Sequence, residues 1–188
     1  MTKILSLFKS EYDLARAIKR GDRNAQTQFY DQYSGLMLAI CMRYIGDKMV
    51  AEDVMIKGLM KIFEKIDQFG FKGSFEGWVK RIMVNEALMQ VRSLKNLEVD
   101  MDEVSTLNFK TEETTNLEEE DLMTLINSLP PGYRTVFNLY AIEGYSHAEI
   151  AKELGISEGT SKSQLSRARA LLQEKLGQQD NELRKTIK

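Results

Sequence analysis

Apolar residues recur at spacings of three and four along most of this chain, which is the period of helices that bury one face. Asp13 to Lys19 predicts a short helix ended by Gly21. A second runs from after Asp22 to about Tyr44, with Phe29, Tyr30, Tyr33, Leu36, Met37, Ile40 and Tyr44 in step, and Gly46 stops it. A third covers roughly Val50 to Ile66, with Val54, Met55, Leu59, Ile62, Phe63 and Ile66 on one face. The stretch Asp67 to Ser74 holds two glycines and ends in a serine suited to cap the next helix, so it reads as a loop. The fourth helix is expected from Phe75 to about Leu94. Four helices of this length close one core.

The second half predicts helices over about Glu119 to Ser128 and Tyr133 to Glu143, separated by Pro130 and Pro131. Ser146 and Glu149 have capping-box spacing before a helix ending at Leu154, where Gly155 suits the end. Ser157 caps a last helix expected to reach about Leu176, and residues 177–188 read as a polar tail. Runs of alternating β-branched residues closed by tight turns are nearly absent. The expected class is all-α: two small helical domains, 1–97 and 119–176, joined by a linker over 98–118.

Charge sharpens the division. The 188 residues carry a net charge of −2, but the balance is +5 over residues 1–97, −9 over 98–121 and +2 over 122–188. A near-neutral total therefore hides any basic face on either domain. The acidic stretch has no amphipathic period and reads as a flexible tether. One cysteine, Cys41, excludes an internal disulfide, and one histidine, His147, leaves no metal cluster. No glycine-rich phosphate loop and no nucleophile with a histidine partner is present, so no catalytic residue, metal or cofactor is expected. No apolar stretch suits export or membrane insertion, and a reducing cytoplasmic setting is the expected one.

The segment from Tyr145 to Leu176 has the layout of a helix-turn-helix. Ile150, Ala151 and Leu154 face inward from its first helix, and Leu165, Ala168 and Leu172 from its second. The other face of the second helix carries Ser157, Glu158, Thr160, Ser161, Lys162, Gln164, Arg167 and Arg169. Small polar residues near a helix start suit base edges, and later basic ones suit phosphates. A helical hairpin with a solvated polar face shares this spacing. The capping box, the Gly-apolar-Ser turn and the basic residues together favour DNA.

These residues bring a family into view. The run LINSLPPGYRTVFNLYAIEGYSHAEIAKELGISEGTSKSQLSRARALLQEKL resembles region 4 of bacterial RNA polymerase sigma factors of the sigma-70 family. EDVMIKGLMKIFEKIDQF resembles region 2.2, and GSFEGWVKRIMVNEALMQVR resembles regions 2.3 and 2.4. Order and spacing are similar to the small extracytoplasmic-function (ECF) group, with a Bacteroidetes flavour. Two departures stand out. Ile56, Lys57 and Leu59 occupy positions where the family has glutamine, glutamate and phenylalanine, and Ser161 stands where a larger apolar residue is common.

The resemblance implies a factor that binds core RNA polymerase through the β′ clamp helices and the β flap and directs it to promoter DNA. An anti-sigma factor is an implied partner. It implies −10 recognition and melting by the first domain, −35 recognition by the second, and an acidic linker lying in the polymerase RNA path. Within the first domain, Phe71, Lys72, Trp78, Arg81, Asn85 and Arg92 are the candidates for DNA. Aromatic rings beside cations can stack unpaired bases, and asparagine and arginine can read base edges. Phe75 and Trp78 also sit at core spacing, and Asn85 also suits a buried or capping role. Asp53, Lys57 and Lys61 face polymerase or solvent. A helix-turn-helix regulator that acts without polymerase remains the other reading.

Overall fold

The computed structural model describes residues 8, 10–99 and 123–186, and every described element is helical. The linker expected over 98–118 lies outside the described residues apart from positions 98 and 99, which belong to a helix. The chain divides into two compact units, Met1–Asn108 and Phe109–Lys188.

In the first unit, α1 (Glu11–Lys19) starts at Ser10, whose side chain accepts the Asp13 N–H. α2 (Arg23–Ile45) is capped by Asp22 and stopped by Gly46 at φ 82°, a left-handed conformation that glycine adopts without steric cost. α3 (Lys48–Glu64) begins two residues before the expected Val50. Asp47 supplies the reason, because its carboxylate accepts the Val50 N–H at 2.9 Å and Lys48 and Met49 complete the first turn. A 3-10 turn (Ile66–Gln68) comes next. α4 (Phe75–Val99) starts where Ser74 Oγ accepts the Gly77 N–H at 3.1 Å. It runs past the expected end at Leu94.

α2 packs against both α3 and α4. Phe29, Met37, Ile40, Tyr44, Val54, Ile62, Phe75, Met83 and Leu88 are fully buried between them. Each such side chain contributes about 1.5–3 kcal/mol of burial. Cys41 is buried too, and burial first of all pushes its thiol up to about 12, so it packs as an inert apolar group. α3 and α4 pack together at Gly58, where an added Cβ would overlap Sδ and Cε of the buried Met83. Gly58→Ala therefore sets a helix-propensity gain of about 1 kcal/mol against an overpacking cost of about 1–3 kcal/mol. The expected net result is a lower urea midpoint, read by the fluorescence of Trp78, the one tryptophan of the chain.

In the second unit, α5 (123–127) leads into α6 (Pro131–Phe137). α6 starts before the expected Tyr133 because proline suits the first helical turn. Arg134 is buried, and its guanidinium donates to the Asn127 carbonyl at 3.0 Å, tying α6 to the end of α5. The helix then widens into a π turn (Asn138–Ile142), in which the Glu143 N–H reaches the Asn138 carbonyl at 3.0 Å. α7 (His147–Leu154) carries the complete capping box of Ser146 and Glu149, and Gly155 ends it at φ 65°.

α8 (Glu158–Thr186) extends ten residues beyond the expected end at Leu176. The expected polar tail thus continues as helix through Thr186. Gly177 is an isolated glycine whose cost of about 1 kcal/mol does not break a helix with no proline ahead, and Gln178 bonds back to Glu174 at 3.4 Å. The unit's core joins α5, α6, α7 and α8 through Leu125, Leu129, Val136, Leu139, Ile150, Leu165, Ala168 and Leu172.

Candidate nucleic-acid interface

The start of α8 is built by Ser157. Its Oγ accepts the Thr160 N–H at 2.9 Å and shares a hydrogen bond with Thr160 Oγ1 at 2.8 Å. Glu158, Lys162, Arg167 and Arg169 are exposed, and Thr160 and Gln164 are half-buried. Lys162 lies 3.8 Å from Glu158, an exposed pair one turn apart that holds neither side chain firmly. Arg167 reaches the Tyr133 hydroxyl at 3.3 Å. The Arg169 guanidinium sits over the Tyr140 ring, 5.6 Å from its centroid, and Tyr140 stacks on His147 at 4.6 Å. An open groove results, lined by Tyr140, His147, Lys162, Ser166, Arg169 and Gln173.

Ser161 is a correction. Its polarity and place near the helix start put it on the DNA-facing side, but it is 0% exposed. Its Oγ shares a 2.9 Å hydrogen bond with His147 Nδ1. It falls at spacings of four, seven and eleven from Leu165, Ala168 and Leu172, which is the buried seam of α8. Ser161→Ala is expected to lower the stability of this unit by about 1 kcal/mol and leave base preference unchanged. Lys162→Ala is expected to do the reverse, reducing the salt slope of DNA binding by about one phosphate contact. Thermal unfolding and salt-titrated anisotropy separate the two.

In the first unit the aromatic residues divide. Phe75 is core: it is fully buried, and its ring centroid lies 5.8 Å from Phe29 and 5.1 Å from Phe69. Trp78 is half-buried, stacked on Phe75 at 5.9 Å, and borders the surface. Phe71 is half-buried, with its ring 5.0 Å from Phe69 and 6.0 Å from Tyr12, while its neighbour Lys72 is exposed. Arg81, Asn85 and Arg92 are exposed on α4. Their spacing puts them on one face with Met89, an exposed residue that sequence reasoning missed.

On α3, Asp53 and Lys57 are exposed as expected. Lys61 is a second correction: it is half-buried, and its ammonium pairs with Glu86 of α4 at 2.5 Å. It joins two helices and is not available as a free surface cation. Between the charges the helix exposes large apolar groups, Met49 at 79%, Ile56 at 45% and Met60 at 67%. Steps of seven and four align all three along one face beside Asp53. The signal was present in the sequence, because Ile56 and Met60 fall off the core face of the same helix.

Among the described residues, no group of three or more metal-ligating side chains comes together, and no helix is long and apolar enough to cross a membrane.

Comparison with known proteins respects this division. The model of sigma-70 region 2 matches residues 29–96, and that of sigma-70 region 4 matches residues 119–172. The ECF RNA polymerase sigma factor SigW of Bacillus subtilis is 29% identical over 175 residues, covering 86% of this chain and 94% of that protein. The ECF RNA polymerase sigma factor SigE of Mycolicibacterium smegmatis is 30% identical over 158 residues, covering 80% of this chain and 61% of that protein. Among solved structures, the sigma factor RpoE of Bartonella quintana, in complex with the anti-sigma factor NepR, is 27% identical with a TM-score of 0.55. The match covers 80% of this chain and 96% of that one. With both sigma-70 regions matched in order and relatives of this kind over most of its length, the chain belongs to the sigma-70 family of RNA polymerase sigma factors, in its extracytoplasmic-function group.

Proposed function

We propose that this chain binds core RNA polymerase and directs it to promoters through two DNA-reading surfaces, one on each unit. The observation that carries this reading beyond family membership is the solvent-facing stripe of Met49, Ile56 and Met60 on α3. Such a stripe suits docking on another protein, which a factor that works on polymerase requires. In this reading α3 seats on the β′ clamp helices and the second unit meets the β flap. Lys72 and the Arg81–Asn85–Arg92 face of α4 meet the −10 element as it opens. Glu158, Lys162, Arg167 and Arg169 on α8 meet the −35 element, with Ser157 shaping the helix start.

The chain makes and breaks no bond of its own in this account; the polymerase does. An anti-sigma factor is the proposed regulator, by analogy with the RpoE–NepR complex, and the cytoplasm is the proposed setting. The test is retention of fragmented genomic DNA by the chain alone, by core polymerase alone and by both together. A defined set of sequences should be enriched only by the pair. Equal enrichment by the chain alone would instead identify a polymerase-independent regulator.

A further inference from the structure

α1 lies outside residues 29–96 matched by the region 2 model, and the sequence assigns it no role. In the structure one face of it runs along the segment before and into α4, in register. Lys19 Nζ lies 3.1 Å from Asp67 Oδ1. The Arg16 guanidinium sits over the Phe71 ring, 5.4 Å from its centroid. The Tyr12 hydroxyl donates to the Gly73 carbonyl at 3.0 Å. Glu11 Oε2 accepts the Phe75 N–H at 3.1 Å. Positions 19, 16, 12 and 11 thus meet 67, 71, 73 and 75 in antiparallel order.

The clasp is anchored at one end. The other Glu11 oxygen accepts a hydrogen bond from the Tyr33 hydroxyl of α2 at 3.4 Å. Burial first, and then the Glu11 and Glu76 carboxylates, push the Tyr33 phenol up to about 12, so it keeps its proton and donates. What the clasp holds is a backbone shape that the loop does not favour by itself. Phe71 has φ 54°, and among the described residues it is the one non-glycine with positive φ. A bulky side chain is rare there, and the surroundings must impose it. Two of the four contacts are exposed, the Lys19–Asp67 pair and the Tyr12 hydrogen bond, and exposed contacts of this kind add little to global stability.

We propose that α1 is a positioning element for strand recognition: Glu11, Tyr12, Arg16 and Lys19 hold residues 67–75 in the shape that receives the unpaired promoter strand. The proposal rests on the reading of this loop as the strand-binding segment. A loop ordered in advance does not add its ordering entropy to the binding step, so loosening it weakens recognition without unfolding the helices around it.

The test uses the full chain assembled with core polymerase and a pool of random-sequence single-stranded DNA, with the retained strands sequenced. Tyr12→Phe combined with Lys19→Met removes two contacts and keeps the Tyr12 ring. This variant should match the parent in melting midpoint and in affinity for core, while enrichment of the parent's preferred motif falls about threefold, the loss that two exposed contacts allow. Lys19→Arg, which preserves the ion pair, should keep the parent's enrichment. Lys72→Ala, on the loop itself, should lose it. If the double variant enriches the motif as the parent does while Lys72→Ala does not, α1 is scaffold alone and the proposal is overturned. If Lys72→Ala also enriches like the parent, the loop is not the strand-binding segment, and the underlying reading fails together with the proposal.

Discussion

Ile56→Glu combined with Met60→Glu should abolish binding to core polymerase while leaving the fold intact. Both side chains stand in solvent, at 45% and 67% exposure, so carboxylates there cost the free chain little. In a docked complex each apolar side chain would contribute about 1.5–3 kcal/mol on being covered. Replacement forfeits that gain and adds the cost of desolvating a carboxylate. The sum exceeds about 3 kcal/mol, or more than a hundredfold in affinity. Fluorescence anisotropy of labelled chain against core enzyme measures it, and circular dichroism melting should stay within a few degrees of the parent. Lys57→Ala on the same face should change affinity much less, because a rim charge acts mainly through encounter rate. Parent-like affinity of the double variant would remove α3 as the docking face.

The second large effect is on stability. Phe75→Ala should destabilise the first unit by about 3–5 kcal/mol, the usual cost of deleting a buried aromatic ring. Phe75 is fully enclosed, with ring contacts to Phe29, Tyr33, Phe69 and Trp78. Two units need not unfold together, so a global signal would blend them. Trp78 is the one tryptophan in the chain and stacks on Phe75, so its fluorescence during urea unfolding reports this unit alone. A Phe75→Ala midpoint within experimental error of the parent would contradict the placement of this ring at the centre of the packing.

Most of the helical framework was legible because periodicity and caps act locally. Asp22, Ser146, Gly46 and Gly155 start and stop helices where their side chains or missing Cβ dictate. The inward set Leu165, Ala168 and Leu172 is buried as its spacing required. Misreadings arose where a position's meaning depends on a distant partner. Lys61 reads as a surface cation until Glu86, on another helix, closes an ion pair with it. Ser161 looks polar and therefore outward, yet it continues the Leu165 seam, and its hydroxyl is satisfied by His147. That position is where the family favours a larger apolar residue, so the departure itself carried the signal. Phe71 is half-buried, and its ring contacts with Phe69, Tyr12 and Arg16 are likewise not announced by its place in the loop. The register of α1 along residues 67–75 joins groups more than forty positions apart, and no local pattern announces it.

The central claim is that one chain supplies both the polymerase-docking face and the promoter-reading faces. Run-off transcription from fragmented genomic templates tests it most directly, with purified core polymerase, with and without the chain. The expected result is a limited set of transcripts with defined start sites that require the chain, disappear with Ile56→Glu/Met60→Glu, and change in relative yield with Lys162→Ala or Arg167→Ala. A transcript profile identical with and without the chain would contradict the account.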